Sequence, residues 1–140
     1  MLLRLQGKAS KIEYGKYKLE LDIPALYLVD ANYNISLRMI MLEMSVLDDT
    51  PQHQFWSLST TAVDKSAVNP NQEIASFYTP IKRVSDYTIV YYEPLIRREY
   101  KIQITSIHTS EFILTALIPD EHLEINNIEI LFEFSKYARI

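Results

Sequence analysis

Three histidines and one dense knot of ionisable residues are the places where this chain could do chemistry. His53 follows Asp48 and Asp49 in DDTPQHQFW, His108 lies between Ser106 and Glu111 in SIHTSEF, and His122 closes PDEH. Imidazole beside carboxylate is the raw material of metal ligation and of proton transfer. Asp48, Asp49 and His53 nevertheless lack the fixed spacing of the known metal signatures, and we read them as a solvated turn. Ser106, His108 and Glu111 carry the letters of a hydrolase triad. Triads assemble across a fold, however, and no G-x-S-x-G elbow is present, so a polar turn is the simpler reading.

The knot is YYEPLIRREY, residues 91–100. Residues 87–92 and 98–107 both read as strands, and Pro94 between them cannot donate a ladder hydrogen bond. We read the stretch as a charged hairpin tip, with Glu93 and Glu99 in reach of Arg97 and Arg98 as surface ion pairs. Tyr91, Tyr92 and Tyr100 become candidates for cross-strand packing. Leu95 and Ile96, two apolar residues at the apex, are candidate interface residues.

Composition removes several other chemistries. The chain has no cysteine, which excludes disulfide frameworks, thiolate zinc sites and cysteine nucleophiles together. It has two glycines, Gly7 and Gly15, and neither lies in a phosphate-cradling or dinucleotide pattern. The formal charge is -4 with Lys and Arg scattered, which argues against nucleic acid as a partner. We expect no cofactor, no metal and no enzymatic activity. MLLRLQGKAS has no apolar core of signal-peptide length, and no run approaches the roughly 20 apolar residues of a membrane span. An intracellular or virion location follows as the expectation, and the sequon Asn34-Ile35-Ser36 is read as chance.

The elements that must position these residues are strands. A hydrophobic share of 48% in 140 residues suits one globular domain spanning 1–140 with its own core. Tyr17, Leu19, Leu21 and Ile23 alternate with Lys16, Lys18, Glu20 and Asp22. The same period recurs in Tyr100, Ile102 and Ile104, and in Ile128, Ile130, Phe132 and Phe134. Shorter β-branched or aromatic runs fall at 55–62, 73–79, 87–92 and 112–118, bounded by Asn, Asp and Pro turns. About eight or nine strands in this arrangement predict an all-β fold, an antiparallel β-sandwich of jelly-roll type.

Residues 34–47, NISLRMIMLEMSVL, are harder, because Met, Leu, Arg and Glu are helix formers and Asn34 could cap a helix. We favour a strand. It places Ile40, Leu42, Met44 and Val46 on one face and Ile35, Leu37, Met39 and Met41 on the other. Both faces are then apolar, which predicts that something covers the outer one, most economically a second subunit. Leu37, Met39 and Met41 are therefore interface candidates alongside Leu95 and Ile96.

Ten tyrosines are the most distinctive compositional feature. With Phe55, Trp56, Phe77 and Tyr78 they suggest an aromatic groove for a peptide, glycan or lipid, though tyrosine and arginine are also enriched where protein surfaces meet. Alternating strands such as KYKLELDIP and NNIEILFEF, in an Ile- and Tyr-rich chain almost without glycine, resemble the small jelly-roll capsid, penton and spike proteins of DNA viruses and virus-like mobile elements. The resemblance covers the whole chain as architecture and composition, without a motif that would transfer a functional residue. It implies self-assembly without catalysis. Two readings stand: a non-enzymatic structural protein that forms a homo-oligomer or joins other subunits, and a monomeric recognition module built on the aromatic groove.

Overall fold

Alternation becomes strand wherever the inward residues are large enough to bury. In the computed structural model, which describes residues 1–13, 15–24, 33–46, 52–81, 88–102, 107–118 and 123–136, nine strands are seen. They are β1 (Leu2–Glu13), β2 (Lys16–Leu21), β3 (Tyr33–Val46), β4 (Gln52–Thr60), β5 (Glu73–Ile81), β6 (Thr88–Tyr92), β7 (Tyr100–Lys101), β8 (Phe112–Ala116) and β9 (Leu123–Lys136), with a short 3₁₀ turn at Ile107–Thr109. All pairings are antiparallel, in the order β5-β4-β8-β2-β1-β9-β3-β6, and β7 adds to β3. The all-β antiparallel architecture is thus the one the alternation predicts, realised as one sheet rolled until its two edge strands approach each other. Phe77 of β5 and Tyr92 of β6 stack across that seam, with ring centroids 4.7 Å apart and planes 16° from parallel.

The roll encloses the core. Tyr17, Trp56, Phe112 and Phe132 are its largest members, among Leu5, Ile40, Leu42, Leu58, Leu114 and Ile130. Burying each such aliphatic or aromatic side chain stabilises the fold by ~1.5–3 kcal/mol. The polar atoms of the two largest core rings are paired: the Trp56 indole N–H donates to Thr79 Oγ1 at 2.9 Å, and the Tyr17 hydroxyl donates to the Leu123 carbonyl at 2.9 Å.

β1 is a strand the sequence reading does not contain. Its inward positions after Leu3 and Leu5 are Gly7 and Ala9, so the apolar signal fades where the strand continues. The physical reason is the bend in the sheet. Residues 2–7 of β1 pair with β9 and residues 7–13 pair with β2, and Gly7 is opposite both Ile128 and Leu21. A Cβ at Gly7 would run into the Glu20 carbonyl of β2, so the pivot strand tolerates no side chain there.

Residues 33–46 form a strand, and its double apolar character has a structural origin. Leu37 is opposite Phe132 and Met39 is opposite Leu131, so Arg38 is an extra residue, a β-bulge that reverses the facing of everything beyond it. Ile35 and Leu37 face inward before the bulge; Ile40, Leu42 and Met44 face inward after it. Leu37 is only 4% exposed, which corrects its place among the interface candidates: it belongs to the core. A second bulge compensates on β9, where Met44 pairs with Ile125 and Glu43 with Asn127, leaving Asn126 extra. Both bulge residues are tied outside the barrel: Arg38 to Glu133 at 2.8 Å, and Asn126 Nδ2 to Ser45 Oγ at 2.6 Å.

Of the strand expected across residues 98–107, the described residues show only the start. β7 is two residues long, followed by an isolated bridge between Ile102 and Val63, and residues 103–106 lie outside the described residues.

Candidate interaction surface

The histidine constellations can be placed first. His108 is exposed on the 3₁₀ turn, and the Glu111 carboxylate pairs with Lys18 at 3.6 Å. Asp48, Asp49, Ser106 and His122 lie outside the described residues, as does the side chain of His53. Among the described residues no group of three or more His, Cys, Asp or Glu is arranged to hold a metal ion. No helix among them is long and apolar enough to cross a membrane.

The proposed aromatic groove divides between two faces. Phe55 and Trp56 are adjacent in β4, Phe77 and Tyr78 adjacent in β5, and successive strand residues point to opposite sides of a sheet. Trp56 and Phe77 lie in the core at 1% and 5% exposure. Phe55 and Tyr78, opposite each other in the β4–β5 register, form an exposed pair with centroids 5.1 Å apart. The four are therefore not brought together. What remains outside is a smaller apolar patch, Phe55 and Tyr78 with exposed Leu117 and Ile118, anchored beneath by buried Gln54. Gln54 Nε2 donates to the Ile118 carbonyl at 2.5 Å, and its Oε1 accepts the Ile118 N–H at 3.0 Å and the Phe55 N–H at 3.1 Å.

YYEPLIRREY is an excursion from an edge strand rather than the tip of a hairpin. β6 pairs with β3 over Ile40–Met44, and β7 pairs with the same edge of β3 over Asn34–Ile35. The two are one interrupted strand, and residues 93–99 leave the edge between them. The excursion is fastened to the outer face at its far end. Glu99 accepts from Asn34 Nδ2 at 3.3 Å and Ser135 Oγ at 3.1 Å, and Arg97 reaches Glu133 at 3.5 Å. These contacts replace the pairs expected among Glu93, Glu99, Arg97 and Arg98. Leu95 and Ile96 project furthest, at 102% and 80% exposure.

On the outer face next to this excursion lie Met39 and Met41, half-buried, with Leu131 opposite Met39 and Tyr91 opposite Met41. Ile89 follows on β6, opposite Glu43. The Tyr91 hydroxyl donates to Glu93 at 3.2 Å; local desolvation, that bond and the carboxylate charge push its pKa above the ordinary tyrosine value. Tyr91 therefore remains a neutral donor at ordinary pH.

Between the two sheet edges lies a cleft of about 400 Å³. Its apolar lining comes from Leu37, Ile74, Tyr92 and Tyr100, its ionisable rim from Glu73, Glu93 and Arg98, and Leu95 and Ile96 stand at its lip. The β5 edge beside it is capped: the Asn69 carboxamide donates to the Glu73 carbonyl and accepts the Glu73 N–H, both at 3.0 Å, as a partner strand would.

No family model and no curated protein matches this chain. Among solved structures it is similar to dimeric latent PorU from Porphyromonas gingivalis, at 9% identity and a TM-score of 0.47, covering 96% of this chain and 12% of that one. It is also similar to the virus-like particle of Macrobrachium rosenbergii extra small virus, at 11% identity and a TM-score of 0.36, covering 99% and 79%. The carbohydrate-binding module CBM36, solved with calcium and xylotriose, gives 14% identity and a TM-score of 0.35, covering 95% and 99%. At these values the likenesses carry no inference about the surface described above.

Proposed function

We propose that this chain is a non-enzymatic structural protein, a small β-sandwich that self-associates through the β6 edge and the excursion that follows it. The observation that supports this is a run of exposed apolar side chains along one edge: Ile89 and Tyr91 at 58% and 61% exposure, then Leu95 and Ile96 at 102% and 80%. Exposed apolar residues scattered singly are ordinary, whereas four within eight positions at one edge mark a contact surface. Met39, Met41 and Leu131 continue the surface onto the outer face of β3 and β9. A virion- or capsid-like component is the finer form of this reading, in keeping with the resemblance of its alternating strands to small jelly-roll assembly proteins.

Sedimentation velocity over a concentration series tests it. The expected result is a species heavier than the 16.4 kDa chain. A clean monomer at the highest concentration attainable sinks the reading.

A second reading, a monomeric recognition module, has one observation in its favour: the exposed Phe55–Tyr78 pair beside Leu117 and Ile118. Trp56 lies in the core beneath, so the ring resonances of Phe55 and Tyr78 are the better reporters. Titration with soluble xylan and mannan oligosaccharides that leaves those resonances unmoved counts against glycan recognition at this patch.

A further inference from the structure

We propose that two copies of this chain associate by exchanging tips: the Leu95–Arg98 segment of each copy seats in the cleft between β5 and the 92–100 segment of the other. This rests on the self-association reading and names the parts that meet.

The first argument is complementarity of surface. Leu95 and Ile96 are the most exposed side chains of the excursion, projecting from a loop whose base is fastened at Glu99. The cleft at their foot has half-buried Tyr92 and Tyr100 on its wall above the core residues Leu37 and Ile74, and its volume of about 400 Å³ is within the range of recognition pockets. Leu95 and Ile96 form one exposed wall of that hollow, and a second copy of the pair entering from outside the chain would bury both walls against each other.

The second argument is charge. The tip continues into Arg97 and Arg98, while the rim of the cleft carries two carboxylates, Glu73 and Glu93, against the one guanidinium of Arg98 itself. The adjoining larger hollow adds Asp64 and Glu99 to Glu73, against Arg98 and Lys101. A second copy of the tip thus brings cations to a rim richer in carboxylates, which favours the right partner and register more than it adds affinity. Arg97 is held only at 3.5 Å by Glu133, which Arg38 already pairs at 2.8 Å, so turning it toward a partner forgoes little.

The third argument is closure. Tip and cleft lie on the same lip of the molecule. A twofold axis that places one tip in the partner's cleft therefore places the partner's tip in the first cleft, giving a closed dimer in place of an open chain.

The test is sedimentation equilibrium on the full chain and four variants. The double variant L95D/I96D should weaken self-association at least about tenfold, as removal of a central anchor does, and at a dilution where parent and variant are both monomeric it should unfold at the parent's temperature because both residues are exposed. E73K/E93K and R97E/R98E should each be largely monomeric alone. Mixed in equal amounts they should associate again, because each then meets a tip of opposite charge. Asn69 grips the backbone of Glu73, and Arg38 keeps Glu133 paired, so both charge variants retain their local fold. A mixture that stays monomeric, or an L95D/I96D variant that associates like the parent, overturns the exchange. Should M39D/M41D instead dissociate while L95D/I96D remains associated, self-association stands and the tip exchange falls. A parent chain that is monomeric throughout removes both.

Discussion

At the scale of single residues, the outcome turned on where each side chain's polar atoms go. Gln54 shows this most directly. It is 1% exposed, and its carboxamide meets one carbonyl and two N–H groups of the chain around it, fixing Leu117 and Ile118 against the strand that carries Phe55. Replacing it with leucine keeps the volume and strands those backbone groups without partners. We expect Gln54→Leu to cost roughly 1–3 kcal/mol, the penalty of buried polar groups left unsatisfied. Urea unfolding measures the loss, and hydrogen exchange at the Ile118 amide should quicken ahead of the core strands. A variant as stable as the parent would mean that water substitutes for the carboxamide.

At the scale of elements, the strands of strict period two were legible and the interruptions were not. β2 and the 128–134 part of β9 bury the residues their alternation assigns: Tyr17 and Leu19, then Ile128, Ile130, Phe132 and Phe134. β1 escaped because its inward face shrinks to Gly7 and Ala9, and strand β3 misled because a bulge cannot be seen as a break in alternation when both sides of the break are apolar. The aromatic groove failed on a rule the sequence already contains: neighbours such as Phe55 and Trp56 cannot share a face. The bulge makes a sharp prediction. In an unbulged strand Leu37 and Met39 would face alike and respond alike. With Arg38 extra, Leu37→Asp places a carboxylate in the core and should abolish cooperative folding, whereas Met39→Asp stays on the outer face and should cost about 1 kcal/mol or less. Thermal unfolding followed by circular dichroism separates the two, and equal behaviour would argue for a regular strand.

At the scale of the whole molecule, local sequence had no means of showing that β6 and β7 share one neighbour, because pairing partners are set by the closure of the sheet. That closure is incomplete in one place. Among the described residues every strand is hydrogen-bonded to its neighbours around the roll until β5 and β6, which meet through side chains, Phe77 stacking against Tyr92. Such a stacked pair contributes about 0.5–1.5 kcal/mol beyond the area it buries. A seam held by side chains should open before any ladder does, since breaking it exposes apolar surface without first breaking backbone bonds. Tyr92→Ala should therefore destabilise the protein by roughly 2–4 kcal/mol and, more tellingly, raise hydrogen exchange in β5 and β6 while β1 and β9 keep their protection. Uniform loss of protection across all strands would show that the seam and the ladders melt as one unit. In that case the lip that carries Leu95 and Ile96 is as rigid as the rest of the sheet. The tip exchange then proceeds without opening the barrel, and self-association should leave the seam's exchange rates unchanged.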